Sequence, residues 1–251
     1  MLILESFGIH TAVYQILENH FMKNIVLIIK YNLKIIFGNR FVYFLGASLI
    51  FYLLFTGIAL FSDNMISVED VYFQLIFPGI LLIFFPTAFG IQNDEDARIL
   101  EILFGIPNYR YKVWLVRLSI IFVMVFVVVT VLAFINNYLL VELPVLEMSA
   151  QLMVVLILFG TLGFLFSTMV KNGNGTAVVM VIVGLGLWFL HGFMGVSKWN
   201  VFLNPFLTPS NISETLFQTM LFQNRLIIVS VSVVAVLWGL MNLQRREGFI
   251  R

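Results

Sequence analysis

The chain is predicted to fold as an all-α integral membrane protein with six transmembrane helices, and three observations lead there. Hydrophobic residues make up 61% of its 251 residues and charged residues 11%, against roughly 45–50% and about 25% in soluble domains. Six apolar runs are long enough to cross a hydrocarbon core, which takes about 20 helical residues. The basic residues fall in alternate gaps between these runs.

The six runs are Phe41–Phe61, Val71–Ile91, Leu118–Val141, Met148–Val170, Thr176–Ser197 and Leu226–Leu243. They read as helices because a lipid-exposed backbone must satisfy its own hydrogen bonds, and barrel strands would alternate over about ten residues. In span two, Pro78 and Pro86 each remove a backbone donor, so a kink or local unwinding is expected. Gly160, Gly163 and Ser167 in span four, and Gly184, Gly186 and Gly192 in span five, are small residues of the kind that let helices approach closely. Apart from His191 no acidic, basic or histidine side chain lies within a run. With Trp188 nearby and the outer end of the span close, His191 is read as a hydrogen-bonded residue rather than a catalytic one.

Charge orients the spans. Lys23, Lys30, Lys34 and Arg40 precede span one; Arg98, Arg110, Lys112 and Arg117 lie between spans two and three; Lys171 follows span four; Arg245, Arg246 and Arg251 follow span six. Twelve of fourteen basic residues therefore share one side, leaving Lys198 and Arg225 on the other. The positive-inside rule then puts both termini in the cytoplasm of a multi-pass protein of the cell (cytoplasmic) membrane.

Residues 1–16 are expected to be an N-terminal extension without the apolar core of a cleaved signal, and Met22 is a plausible start. Residues 17–40 follow as an amphipathic helix. Lys23, Lys30 and Lys34 fall on one stripe at 100° per residue, which suits an interfacial helix with its ammonium groups at anionic headgroups. Residues 41–251 then form the six-span domain.

The segment 93–112 concentrates seven of the chain's 27 charged residues. It is expected to hold a short cytoplasmic helix: Asn93 or Asp94 caps it, Glu95 and Asp96 load the positive end of its dipole, and Gly105 with Pro107 stops it. Asp94 with Arg98, and Arg98 with Glu101, have pairing distances along one side, and Ile99, Leu100 and Leu103 form an apolar strip. A helix of about three turns is marginal alone, so it needs a partner surface: headgroups, the underside of the bundle, or another protein. On the outer side, segment 198–225 is semi-apolar and broken by Pro205 and Pro209, with a short helix capped by Ser210 or Asn211 and favoured by Glu214. It is expected to be re-entrant or interfacial.

Catalytic signatures are missing. There is no His-Glu-x-x-His, no serine with a reachable base, no pair of intramembrane aspartates and no phosphate loop; Lys171-Asn-Gly-Asn-Gly-Thr176 is glycine-rich but has its lysine on the wrong side. Cysteine is absent altogether, which excludes disulfides and thiolate metal sites. The chain is therefore expected to be no enzyme, to bind no cofactor or metal of its own and to engage no nucleic acid. With His191 as the one intramembrane ionisable group, self-powered ion-coupled transport is also disfavoured.

Asp94-Glu-Asp-Ala-Arg-Ile-Leu-Glu-Ile-Leu-Phe-Gly-Ile-Pro107 between spans two and three, Leu203-Asn-Pro-Phe-Leu-Thr-Pro209 before the last span, and Leu243-Gln-Arg-Arg-Glu247 after it carry a resemblance. Together with six spans and a basic amphipathic helix before them, the chain resembles the permease (transmembrane) subunits of type-2 family ABC exporters over about residues 20–247. It departs from them in having Asp96-Ala-Arg where members often show a Glu-Arg-Gly-Thr run. The resemblance implies that Asp94, Glu95, Arg98, Ile99, Leu100, Glu101, Leu103 and Pro107 belong to a coupling helix docking on a separate ATP-hydrolysing subunit, where ATP and Mg would bind. It implies a second permease chain, identical or paralogous, and a substrate path between the two for a lipid-like, glycolipid, peptide or hydrophobic drug substrate. It also makes Asn204, Pro205 and Pro209 the marked residues of the outer segment. The alternative is a non-transporting scaffold or sensor whose cytoplasmic helix recruits a soluble partner; a third reading is an intramembrane enzyme using His191.

Overall fold

A computed structural model describes residues 41–61, 66–96, 110–207, 209 and 211–243. The expected interfacial helix with Lys23, Lys30 and Lys34 lies outside them, as do Arg98, Ile99, Leu100, Glu101, Leu103 and Pro107 of the coupling segment. The described elements are α1 (Phe41–Leu60), α2 (Val68–Ala88), α3 (Gly90–Asp96), a π-helical turn (Arg110–Leu115), α4 (Val116–Leu139), α5 (Val145–Val170), α6 (Gly173–Met194) and α7 (Glu214–Asn242). No strand occurs among the described residues. Six helices are long and apolar enough to span a membrane, with α2 and α3 forming one of them.

The fourth span is the hub. Helix α5 packs against α2, α4, α6 and α7, while α1 rests on α2. Two glycines allow this: a Cβ on Gly160 would lie 2.7 Å from both Ile83 Cδ1 and Phe122 Cε1, and one on Gly163 would lie 2.6 Å from Thr87 Oγ1. The expected close approach is thus met in span four. It is not met in span five, where Gly186 and Gly192 have nothing within 4 Å and Gly184 has only the Phe159 ring at 3.6 Å. The reason is placement: α6 lies at the periphery with 6% of its apolar window buried, against 67% for α5, so its glycines have no neighbour to approach. Gly163→Leu is accordingly expected to destabilise the chain by at least the 1–3 kcal/mol typical of overpacking, and Gly186→Leu to leave thermal unfolding in micelles unchanged.

Span two does not unwind at its prolines. Helix α2 runs through Pro78 and Pro86, and the break comes at Phe89 (φ −102°, ψ −4°) before α3 resumes. Side chains serve the disturbed stretch: the Ser48 hydroxyl donates to the Pro78 carbonyl at 3.0 Å and the Thr87 hydroxyl to the Ile83 carbonyl at 2.7 Å. The helix also starts earlier than hydropathy marks, because Ser67 and Asp70 form a reciprocal capping box.

The outer segment differs more. Its second half is not a separate interfacial helix but the start of span six, since α7 runs 29 residues from Glu214, with Ser213 rather than Ser210 or Asn211 at its N-cap. Between Ser213 and Gly239 there is no proline or glycine to stop the helix. The first half, 198–207, folds as consecutive tight turns, with backbone bonds Asn200 N to Ser197 O, Leu203 N to Asn200 O and Leu207 N to Asn204 O.

Candidate functional site

Two polar centres stand at opposite ends of the bundle. The first lies where α3 delivers the chain into the charged segment and the π-helical turn receives it back. Asp94, in the last turn of α3, accepts a 2.6 Å hydrogen bond from Arg117 Nη1 in the first turn of α4. Their side chains are 1% and 5% exposed, so the pair is desolvated, where Coulomb attraction is strong and a lost partner is costly.

The guanidinium also lies over the Trp114 ring, 4.7 Å from its centroid. Trp114 in turn packs on Phe164 (centroids 6.0 Å) within a buried cluster of Ile91, Leu118, Leu240 and Leu243. That cluster draws residues from spans two, three, four and six. Trp114 lies within the wide π turn, a feature frequent at functional sites, and Arg117 stands three residues on, in the first turn of α4. The described elements on either side of 97–109, α3 and α4, are therefore joined by one buried charge pair.

This corrects the expectation about helix capping. Asn93 and Asp94 do not cap a new helix; they lie inside α3, which begins at Gly90. Asp94 takes up Arg117, 23 residues on, and Arg98 lies outside the described residues. Asp94 is buried, Glu95 half-buried and Asp96 exposed. A local i,i+4 pair in water contributes a few tenths of a kcal/mol; a desolvated pair across two spans is a much stronger determinant of where the carboxylate goes.

The second centre, at the other end, was not visible in the sequence. Arg225 donates from Nε to Gln151 Oε1 at 2.9 Å, from Nη2 to the Leu203 carbonyl at 3.2 Å and from Nη1 to Asn224 Oδ1 at 3.1 Å. Asn224 Nδ2 donates to the carbonyls of Lys198 (2.9 Å) and Asn200 (2.8 Å). Asn200 Nδ2 donates to the Gly195 carbonyl at 2.6 Å, and its Oδ1 accepts the Phe202 amide at 3.1 Å. Asn204 Nδ2 donates to the Glu69 carbonyl at 3.0 Å and its Oδ1 accepts the Phe206 amide at 3.0 Å, which pins the outer segment to the start of α2. Of the three residues marked in that segment, Asn204 is thus a buried tie, and Pro205 and Pro209 border a shallow pocket with Phe206 and Phe217.

His191 belongs to this centre. Its Nδ1 is 3.0 Å from Asn200 Oδ1, and Phe73, Trp188 and Phe202 surround the ring with centroids at 5.4, 5.6 and 6.1 Å. It is a hydrogen-bonded histidine in an aromatic setting.

Within the bundle, polar side chains pair with one another. The Tyr52 hydroxyl donates to Asn136 Oδ1 at 2.8 Å and Gln74 Nε2 to Thr56 Oγ1 at 2.6 Å, linking spans one, two and three. Among the described residues no group of three or more histidine, aspartate or glutamate side chains is placed to hold a metal. Chemically, the arrangement offers two rigid polar fastenings joined by apolar helices, and one of them holds the roots of a charged segment. Comparison with protein-family models, with curated proteins and with solved structures finds no match.

Proposed function

We propose that this chain is the permease subunit of an ATP-driven exporter of the type-2 kind, moving a lipid-like, glycolipid, peptide or hydrophobic drug substrate. A separate ATPase subunit, carrying ATP and Mg, powers it, and a second permease chain completes the path. The observation that carries this reading is the Asp94–Arg117–Trp114 anchor, which joins the elements flanking the charged segment. A partner that pushes on a loop moves the spans only if the loop's roots are stiffly joined to them, and here both roots meet in one buried cluster built from four spans.

In this scheme Asp94 transmits rather than docks. Glu95, Arg98 and Glu101 provide polar contacts to the ATPase, Ile99, Leu100 and Leu103 the apolar ones, and Pro107 ends the docking helix. In this scheme the segment lies in the cytoplasm, where ATP is, and the clustering of basic residues on that side supports the placement. Coupling of this kind is reciprocal: the nucleotide state of the partner and the substrate occupancy of the permease must each alter the affinity for the other.

The test is co-purification with an ATPase subunit encoded beside this chain. Wild type is expected to retain it, and Glu101→Lys with Leu103→Asp to lose it together with substrate-stimulated ATP hydrolysis. Association and stimulation unchanged in the double variant would refute the assignment and favour a scaffold.

A further inference from the structure

Helices α6 and α7 each pack on α5 rather than on one another. They leave between them a lateral groove near the end of the bundle that carries Arg225. Its floor is Leu158 and Leu162 of α5; its walls are Val183 and Leu187 of α6 and Ile227 and Val231 of α7. Each of these pairs is four residues apart, so the groove is one helical turn deep and apolar on three sides. Lys198 and Trp199 stand at its outer mouth.

We propose that this groove binds one acyl chain of an anionic phospholipid whose phosphate is held by Lys198. Three observations point to that occupant. The first is charge: the Lys198 ammonium lies 5.6 Å from the Trp199 ring centroid, is exposed, and enters no ion pair among the described residues. The neighbouring cation, Arg225, is already committed to Gln151, Asn224 and the Leu203 carbonyl.

The second is depth. A lysine beside a 60% exposed tryptophan at the end of an apolar lane is the pairing found at headgroup level, with the ring at the interface and the ammonium reaching the phosphates. The third is lining: apart from Lys198, Trp199 and Asn224 every residue along the groove is aliphatic, which suits a hydrocarbon chain. The site depends only on the chain being embedded in a bilayer, and it stands or falls separately from the transport assignment.

The test uses the full chain purified in detergent and exposed to equimolar phosphatidylglycerol and phosphatidylcholine with identical acyl chains, with bound lipid counted by native mass spectrometry. Wild type is expected to prefer phosphatidylglycerol, and Lys198→Gln to reduce that preference about five-fold, the factor for losing one basic residue at the headgroup layer, while total lipid bound stays the same. Leu162→Trp and Val183→Trp, which fill the groove from floor and wall, are expected to lose bound lipid of both kinds with unchanged helical circular dichroism. A preference that survives Lys198→Gln, or lipid retention in both tryptophan variants, would overturn the proposal. So would loss of self-association in the tryptophan variants with lipid binding intact, which would assign the groove to a second copy of the chain.

Discussion

Replacing Arg117 by methionine is expected to destabilise the chain by about 3–5 kcal/mol, because it leaves the Asp94 carboxylate buried without its partner. Asp94→Leu should cost a similar amount for the complementary reason. The double variant Asp94→Leu/Arg117→Met removes both charges together, and replacing a whole buried pair by apolar side chains of similar volume is often neutral. Its thermal unfolding midpoint in micelles should therefore return close to that of wild type. Additive losses in the double variant would mean that the two side chains act independently, against the 2.6 Å geometry.

The same cycle separates stability from transmission. If the pair fastens the roots of segment 97–109 for a motor subunit, the double variant should fold, should still bind the ATPase, and should lose part of its substrate-stimulated hydrolysis. An unaffected stimulation would leave the pair with a purely structural duty.

The second large effect is expected at the other end of the bundle. Asn224→Leu keeps nearly the same side-chain volume but deletes two donated bonds and the acceptor for Arg225 Nη1. Each buried group left without a partner costs about 1–3 kcal/mol, so a loss of several kcal/mol is expected. Gln223→Leu, one residue earlier and exposed, should be nearly silent. Because the carbonyls that lose their donor belong to Lys198 and Asn200, amide hydrogen exchange should rise first in 198–207. Uniform exchange throughout the chain would contradict the idea that Asn224 specifically pins the outer turns.

Much of the architecture was legible because a bilayer makes stringent demands on a chain. Runs such as Leu118–Val141 and Met148–Val170 are too long and too uniformly apolar for any other element, and α4 and α5 occupy them with small shifts at the ends. His191 was legible as a bonded residue for the same reason, since an unpaired imidazole in that setting is costly. Gly160 and Gly163 were legible as contact glycines, but the same argument misplaced Gly186 and Gly192. A small residue permits close approach without showing whether a neighbour is there.

The charged residues near the helix ends were the hardest to place. Asp94 has a local partner at the right spacing in Arg98 and a distant one in Arg117, and nothing in one dimension ranks them. Arg117 and Arg225 read equally well as loop cations obeying the positive-inside count and its exception. One clue was available in the chain: no helix breaker separates Ser213 from Leu226, which lets α7 begin twelve residues before the apolar run and carry Asn224 and Arg225 into the bundle end.

Sequence alone determined that six runs are long and apolar enough to cross a membrane as helices, that a charge-dense segment lies between the second and third, and that twelve of fourteen basic residues fall in alternate gaps. These are properties of hydropathy and charge summed along the chain. Tertiary structure decided which helix is the hub, that Asp94 turns inward to the Arg117 guanidinium lying over Trp114, and that Asn200, Asn204, Asn224 and Arg225 knit the 198–207 turns to the spans. The physical reason is that a hydrogen bond or ion pair is strong only where water is excluded. Burial of that kind is created by helices packing together, from residues as far apart as Glu69 and Asn204.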